Sequence, residues 1–276
     1  MATRQPVSTA LAAEYGGLDA APRPPKISVE AVTKLYGRKG EVRALENVDL
    51  EINEGEFVCL VGPSGCGKST LLRMIADLHY PTSGSVKIQA SGPGLTTAMV
   101  FQNYSIFPWK TVAENIGLPL EVNGTPKAER VDRVAALMDR MNLSDFADAL
   151  PSALSGGMAQ RVSIARALAV QPEILLMDEP FAALDAQMRR ILQDELLSIW
   201  QEDQRTVVFV THSLEEAILL GDRVVVMSAR PGKIIGDYRI PFERPRRPEV
   251  RGTKEFAELE QEIWSQMRGE VERANK

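Results

Sequence analysis

The chain has 276 residues, a length that suits one large domain or two modest ones. Hydrophobic residues make up 44% and charged residues 25%, which is typical of a globular protein. Its net charge of −5 argues against a general nucleic-acid binder, which normally presents a basic surface. Two cysteines, Cys59 and Cys66, are too few for a disulfide framework, and no apolar run approaches the roughly 20 residues that span a bilayer.

The first 62 residues predict a flexible arm, two half-exposed strands and one buried strand, in that order. The N-terminal segment is rich in Ala, Pro and Gly, which predicts a flexible arm over residues 1–25. From Ile27 onward, ISVEAVTKLY and VDLEINEGEF alternate apolar and polar residues, which predicts two half-exposed antiparallel strands. FVCLVG, residues 57–62, is continuously apolar and predicts a strand that is buried on both faces, as in a parallel sheet.

Helices and strands alternate through most of the remaining chain. A helix is predicted from Lys68 to about Leu78, followed by strands over 85–90 and 96–101, whereas residues 105–170 show only helical patterns such as KAERVDRVAALMDRM. Strands and helices then alternate again, over 173–179, 186–200, 206–211, 214–221 and 223–228. The tail from Thr253 has apolar residues at helical spacing, namely Phe256, Leu259, Ile263 and Met267. The sequence therefore predicts an α/β protein: a βα core with an antiparallel β part and an all-helical insert.

A phosphate-binding loop is predicted between the buried strand and the first helix, where GPSGCGKST matches G-x-x-x-x-G-K-[ST]. Its residues are Gly62, Pro63, Ser64, Gly65, Cys66, Gly67, Lys68, Ser69 and Thr70. The glycines let backbone N–H groups surround phosphate oxygens at a helix N-terminus. We expect Lys68 to reach the β- and γ-phosphates and the Ser69 hydroxyl to ligand Mg²⁺.

Polar residues follow three other strands at the edge where α/β sheets bind ligands. Asp178 and Glu179 end ILLMDE, and we expect Asp178 to hold Mg²⁺ and Glu179 to polarise the attacking water in phosphoryl transfer. His212 follows TVVFVT and is a candidate for contact with a γ-phosphate, although a lone histidine is equally consistent with a structural role. Gln102 follows AMVF and is a candidate ligand of Mg²⁺ or water, or simply a polar residue at a strand end.

LSGGM, beginning at Leu154, predicts a second anion site. Ser155 is suited to cap a helix that begins near Gly156, and the bare N–H groups of Gly156 and Gly157 lie at its positive end. Because the phosphate loop is already complete within one chain, a second anion site is useful if it serves a nucleotide held by another subunit.

These motifs together resemble the nucleotide-binding subunit of ATP-binding cassette (ABC) transporters, from Ile27 to about Pro241, with LSGGM similar to the signature of that family. The resemblance implies an ABC-type P-loop ATPase that binds ATP and Mg²⁺ and pairs head to tail as a homodimer around two ATP. It also implies that Tyr36 stacks on adenine, that Gln102 senses the γ-phosphate and that Ala183–Asp185 communicates across the dimer. The implied division is a nucleotide-binding domain over 26–250, containing a helical subdomain over about 103–160 that receives a permease helix, and a helical tail over 251–276.

Two shorter segments indicate a branch of the family. Phe107-Pro108-Trp109 and SARPGKI, residues 228–234, resemble the bacterial importers of nitrate, sulfonates and taurine. The implied protein is a peripheral motor at the cytoplasmic face of the inner membrane, working with a permease and a separate solute-binding protein, and with no nucleic acid. An exporter motor or a soluble ABC-type ATPase acting on ribosomes or DNA are the alternatives. The basic segment from Arg244 to Pro248 is interpreted as a solvated turn, and Phe107 and Trp109 either pack internally or receive a permease helix.

Overall fold

The computed structural model of the protein describes residues 24–37, 40–92, 95–246 and 248–274. The flexible arm predicted over residues 1–25 lies outside the described residues as far as residue 23.

The described chain forms two sheets. The strands are β1 (Ile27–Tyr36), β2 (Val42–Ile52), β3 (Phe57–Val61), β4 (Ser83–Ile88), β5 (Thr97–Val100), β6 (Ile174–Asp178), β7 (Thr206–Val210), β8 (Arg223–Met227) and β9 (Ile234–Arg239). One sheet has the order β2-β1-β4 and is antiparallel, and the other has the order β5-β6-β7-β3-β8-β9. The larger sheet is parallel except for its edge strand β9, which pairs antiparallel with β8. This arrangement confirms the predicted α/β core with an antiparallel β part.

The centre of the larger sheet is fully buried, as its apolar runs predicted. Every residue of β3, β6 and β7 is buried. Side chains from both faces of these strands contribute to two hydrophobic clusters, one beneath the antiparallel sheet and one beneath the helical insert. Burial on both faces fixes the positions of the strand ends, from which the polar residues of the candidate site project.

Helices cover the sheet and build the insert. They are α1 (Lys68–Ile75), α2 (Val112–Val122), α3 (Lys127–Arg140), α4 (Gly156–Ala169), α5 (Ala186–Asp203), α6 (Leu214–Leu220) and α7 (Lys254–Ala274), with short 3₁₀ turns at Ser144–Phe146, Pro151–Ala153 and Pro248–Gly252. The insert lies between β5 and β6, and α4 joins it to the core because α4 packs against both α2 and β5. The start of α2 is set by a capping box, in which Thr111 and Glu114 bond each other's backbone N–H groups.

The tail helix α7 lies against the core. Phe256, Ile263 and Met267 are buried, and the helix packs on α6, β8 and β9. Among the described residues, no helical segment combines the length and the apolar composition that a bilayer span requires.

Several predicted boundaries were wrong. β2 begins at Val42, six residues before the predicted start at Val48, because its first part pairs with β1 despite a poorer alternation of apolar and polar residues. Helix α1 ends at Ile75 rather than Leu78, since Asp77 has a left-handed φ of 57° that is incompatible with further helix. β9 was not predicted, because its partly exposed sequence IIGDYR is typical of an edge strand and gives little hydrophobic signal.

The interpretation of Arg244–Pro248 as a solvated turn was wrong for Arg244 and Arg246. Arg246 is 7% exposed and donates to the carbonyl oxygens of Leu219 and Gly221 at 3.0 and 2.6 Å, at the C-terminal end of α6. Burial, together with the neighbouring Arg244, lowers the pKa of Arg246 to about 10. Arg244 lies 4.1 Å from the Trp200 ring and pairs with Asp222 at 2.7 Å. The two cations therefore cap a helix end, where they oppose its negative dipole. Arg247 lies outside the described residues.

Candidate nucleotide site

The candidate site lies where three adjacent parallel strands end. β3 leads into the phosphate loop and α1, β6 ends at Asp178, and β7 is followed by Thr211 and His212. Since the carboxyl ends of parallel strands meet at one edge of a sheet, residues that are more than 100 positions apart in sequence are neighbours here.

The phosphate loop is folded around the Lys68 ammonium group. Lys68 is buried, and its Nζ donates to the carbonyl oxygens of Gly62 and Pro63 at 2.7 and 3.0 Å. Gly67 has a φ of 107°, and a Cβ at this position would lie 2.6 Å from Leu45 Cδ2, so the turn requires glycine. The Cys66 thiol is buried 3.7 Å from Lys68 Nζ and is part of the loop's packing. The loop thus places a cation and the N-terminus of α1 around one concave surface.

Ser69 and Asp178 form the base of the site. The Ser69 hydroxyl donates to Asp178 Oδ1 at 2.7 Å, while Arg73 Nη2 lies 3.8 Å from Oδ2. Asp178 is only 1% exposed, and burial raises its pKa against the opposing hydrogen bond from Ser69. A buried carboxylate beside a hydroxyl oxygen is a donor set that fits Mg²⁺, which keeps several of its own waters.

Glu179 projects beyond Asp178 from a left-handed backbone. Its φ is 45°, a conformation that costs a non-glycine residue of order 1–3 kcal/mol, and its N–H donates to the Val210 carbonyl oxygen at 3.0 Å. Its Oε2 lies 3.3 Å from His212 Nδ1. The turn therefore brings the two predicted catalytic side chains of the separate strands β6 and β7 into contact.

Most predicted nucleotide-binding residues share one cavity of about 400 Å³. It is lined by Tyr36, Ser64, Gly65, Cys66, Gly67, Lys68, Ser69, Thr70, Gln102 and Glu179, together with Val42, Ala44 and Arg230. Tyr36 stands at one wall, with Lys34 Nζ 5.2 Å from its ring centroid and His79 edge-on at 6.3 Å. Asp178 and His212 do not line this cavity themselves. Asp178 accepts a hydrogen bond from Ser69, and His212 contacts Glu179, and both Ser69 and Glu179 line the cavity.

The signature segment is not part of that cavity. Ser155 caps α4 by accepting a bond from Met158 N at 3.3 Å, as its sequence position predicted. Ser155 and Gly156 are exposed, and a Cβ on Gly156 would meet the Tyr104 hydroxyl at 3.1 Å. Gly157 is buried against Met188 of α5. The structure therefore presents an open helix N-terminus on a different part of the chain's surface from the phosphate loop.

Two residues of α4 that sequence reasoning missed hold the loop after Gln102. Ser163 Oγ donates to the Tyr104 carbonyl oxygen at 2.9 Å, and Arg166 donates to the carbonyl oxygens of Tyr104 and Ser105 at 3.1 and 2.6 Å. Tyr104 and Ser105 both have positive φ angles, so these bonds stabilise a strained turn. A serine and an arginine within a helix carry no sequence signal for this role, because their acceptors are backbone atoms about 60 residues away.

A buried carboxylate supports the His212 turn. Glu216 accepts bonds from the Thr211 hydroxyl and from Gln193 Nε2, the second at 2.8 Å, and Thr211 directly precedes His212. Burial raises the pKa of Glu216 above its ordinary value of 4.5. Sequence reasoning missed Glu216 as well, since a glutamate in the first turn of a helix is ordinary.

We expect Glu216→Gln to gain stability relative to the wild type as pH rises. A raised pKa means that the protonated carboxyl stabilises the fold below the ordinary pKa, and that this contribution is lost as pH rises through the raised pKa. The amide of the variant can still accept from Gln193 and donate to Thr211. Thermal unfolding from pH 4.5 to 8 tests this, with Glu215→Gln on the same helix as the charge-loss control. A melting-temperature difference between Glu216→Gln and wild type that does not change with pH would contradict the expectation.

Comparisons with known proteins agree on one family. The sequence profile described as ABC transporter matches residues 45–182. The nitrate import ATP-binding protein NrtD of Synechocystis sp. is 45% identical over 246 residues, covering 85% of this chain and 92% of that protein. An uncharacterized ABC transporter ATP-binding protein of Methanocaldococcus jannaschii is 51% identical over 250 residues, covering 89% and 92%. A dimeric post-hydrolysis structure of the ATP-binding cassette MJ0796 with ADP and Pi matches with a TM-score of 0.70 and 35% identity, over 79% of this chain and all of that one.

Proposed function

The chain belongs to the ABC transporter family, and we propose that it is the ATP-hydrolysing motor subunit of an importer, working as a homodimer that closes around two ATP molecules. The observation that carries this proposal is the division of the site. One cavity is lined by most of the phosphate loop, Tyr36, Gln102 and Glu179, whereas the signature segment lies outside it, with Ser155 and Gly156 exposed to solvent.

We assign ATP binding to the phosphate loop and to Tyr36, which lines the same cavity. The Tyr36 ring offers a face for adenine, and the loop N–H groups with Lys68 offer donors for the phosphates. Lys68 Nζ is held by two carbonyl oxygens of its own loop. Its ammonium is thereby positioned over the loop and exchanges weak neutral acceptors for phosphate oxygens when the nucleotide binds.

Hydrolysis is assigned to Glu179, His212 and Gln102. Glu179 is 21% exposed at the cavity wall, where its carboxylate orients a water and accepts its proton. His212, in contact with Glu179, fixes the carboxylate orientation and offers a donor toward the γ-phosphate. Ser69, Asp178 and Gln102 are the residues that would hold Mg²⁺, which neutralises phosphate charge when bound.

The proposed dimer is supported by the exposed N-terminus of α4. Bare N–H groups at Gly156 and Gly157, with the positive end of the helix dipole, attract an anion. The phosphate cavity of the same chain does not include them. In a head-to-tail dimer, the ATP bound by one chain contacts this helix terminus of the other chain. Because the phosphates connect the two chains, the dimer closes only when nucleotide is bound.

An importer is favoured by the relatives and by one surface feature. Two relatives from Synechocystis sp. are named for small anions: NrtD for nitrate import, and CmpD, which is 46% identical over 80% of each chain, for bicarbonate transport. Trp109 is 71% exposed beside Phe107, and the Asn115 side chain bonds the Phe107 N–H and carbonyl, which holds this aromatic loop rigid. We assign the loop to contact with a separate permease, served by a solute-binding protein, at the cytoplasmic face of the inner membrane.

The proposal is tested by purifying tagged Glu179→Gln protein from solubilised membranes with ATP and identifying bound proteins by mass spectrometry. A polytopic permease is the expected partner, and removing ATP or adding Trp109→Ala should reduce its recovery severalfold. The Trp109→Ala change lies on the surface and leaves the nucleotide cavity intact, so it separates partner binding from ATP binding. Recovery of ribosomal or DNA-associated proteins alone would overturn the transport assignment, while the ATPase assignment would stand.

A further inference from the structure

The loop that joins β8 to β9, residues 228–233, forms a wall beside the nucleotide cavity. A second cavity of about 730 Å³ lies between this loop, the phosphate loop and the C-terminal end of α7. Ser64, Gly65 and Arg230 line both cavities. The SARPGKI segment, which indicated only a branch of the family by sequence, therefore lies against the predicted phosphate site.

Arg230 is the residue of this loop that reaches the site. Its Nε and Nη2 each donate to the Gly65 carbonyl oxygen at 3.3 Å, which is long for a charged donor. It is exposed, and no carboxylate in the described part of the chain lies within ion-pair distance of it. The other two cations around the larger cavity differ, since Lys233 pairs with Glu46 and Arg273 with Glu270, each at 2.7 Å. Arg230 thus has guanidinium donors to spare and an uncompensated charge beside a phosphate loop.

The backbone of the loop is held on two sides. Gly232 N donates to the Ala44 carbonyl oxygen at 2.9 Å, and Glu46 N donates to the Gly232 carbonyl oxygen at 3.0 Å, which ties the loop to β2. On the other side Ala229 N donates to Glu270 Oε2 of α7 at 2.9 Å. The tail helix therefore holds Ala229, the residue before Arg230, through the Glu270 carboxylate.

We propose that Arg230 is a second cation for the phosphates of the bound nucleotide, and that Glu270 of the tail helix positions it. This inference rests on the proposed nucleotide site. A guanidinium presents several donors in one plane and suits phosphate oxygens better than the single carbonyl oxygen of Gly65. The tail helix α7 contributes to nucleotide affinity through one hydrogen bond to the loop.

The first test measures dissociation constants for ATP, ADP and adenosine by calorimetry with the full chain. Arg230→Gln is expected to raise the dissociation constant for ATP by about tenfold and to leave that for adenosine unchanged. Tenfold is at the low end of what a hydrogen bond to a charged group contributes, because Arg230 is exposed. Arg230→Lys should recover part of the loss. Lys233→Gln, which removes the same charge from the same loop but from an existing ion pair, should change the ATP constant less than twofold.

The second test is a double-mutant cycle with Glu270→Ala. Glu270→Ala alone should weaken ATP binding severalfold, and in the Arg230→Gln background it should have almost no further effect, because both changes act through one side chain. Arg273→Gln removes the ion pair of Glu270 but keeps its bond to Ala229, and serves as the control. Melting temperatures establish that each variant is folded. If wild-type protein binds ATP and Arg230→Gln binds it equally well, or if the two effects simply add, this inference is overturned. If wild-type protein fails to bind ATP, the proposed function itself fails.

Discussion

Glu179→Gln is expected to lower the ATPase turnover number by about 10²–10⁴-fold, the contribution of a positioned general base, while leaving the dissociation constant for ATP nearly unchanged. The carboxylate lies at the cavity wall, in contact with His212, and not among the donors of the phosphate loop. The amide has the same shape but cannot accept the proton of the attacking water. Pre-steady-state phosphate release and ATP calorimetry on the same preparation measure the two quantities.

A matched control is Glu202→Gln, the same chemical change at an exposed position on α5 that pairs with Arg140. It should keep wild-type turnover. If Glu179→Gln retained more than about one tenth of wild-type turnover, the carboxylate would contribute less than a general base normally does, and another residue would have to hold the water.

Ser155→Asp is expected to abolish ATP-dependent dimerisation and to lower turnover by about 10³-fold, without loss of ATP binding by the single chain. Aspartate caps a helix as well as serine does, so α4 should retain the bond to Met158 N. A new negative charge about 4 Å from a partner's phosphate is repelled by about 4 kcal/mol at an effective dielectric constant of about 20, which corresponds to about 10³-fold in affinity.

Ser155→Asn provides the comparison, because it caps the helix equally well and adds no charge. It should dimerise with ATP at a lower protein concentration than Ser155→Asp. Equal sedimentation behaviour of the two variants with ATP would contradict the assignment of this helix terminus to a partner's phosphates. Loss of ATP binding by the isolated Ser155→Asp chain would place the signature in the same site as Lys68.

The elements with a strong local signal were predictable from sequence. The continuous apolar runs of β3, β6 and β7 and the glycine pattern around Lys68 each specify one local structure, and the structure has all of them. The meeting of Glu179 with His212 was also foreseeable in outline, because both follow neighbouring parallel strands.

Long-range pairings of ordinary polar residues were not predictable. The sequence around Arg246 predicted a solvent-exposed side chain. In the structure Arg246 is buried at the end of α6, where its guanidinium donates hydrogen bonds to backbone carbonyl oxygens. Arg166 and Arg230 likewise bond backbone oxygens about 60 and 165 residues away. Backbone acceptors have no residue identity, so the sequence contains no trace of such contacts until the chain is folded.

In the proposed mechanism two chains and ATP together complete each site, so the mass of the Glu179→Gln protein should depend on the bound nucleotide. Each chain has a mass of 30.4 kDa, and sedimentation equilibrium with saturating ATP and Mg²⁺ should give twice that mass with one ATP bound per chain. The same protein with ADP should remain at the mass of one chain. Protein that is saturated with ATP and still sediments as a single chain, over the range of concentrations at which the wild type hydrolyses ATP, would show that one chain alone forms the complete site.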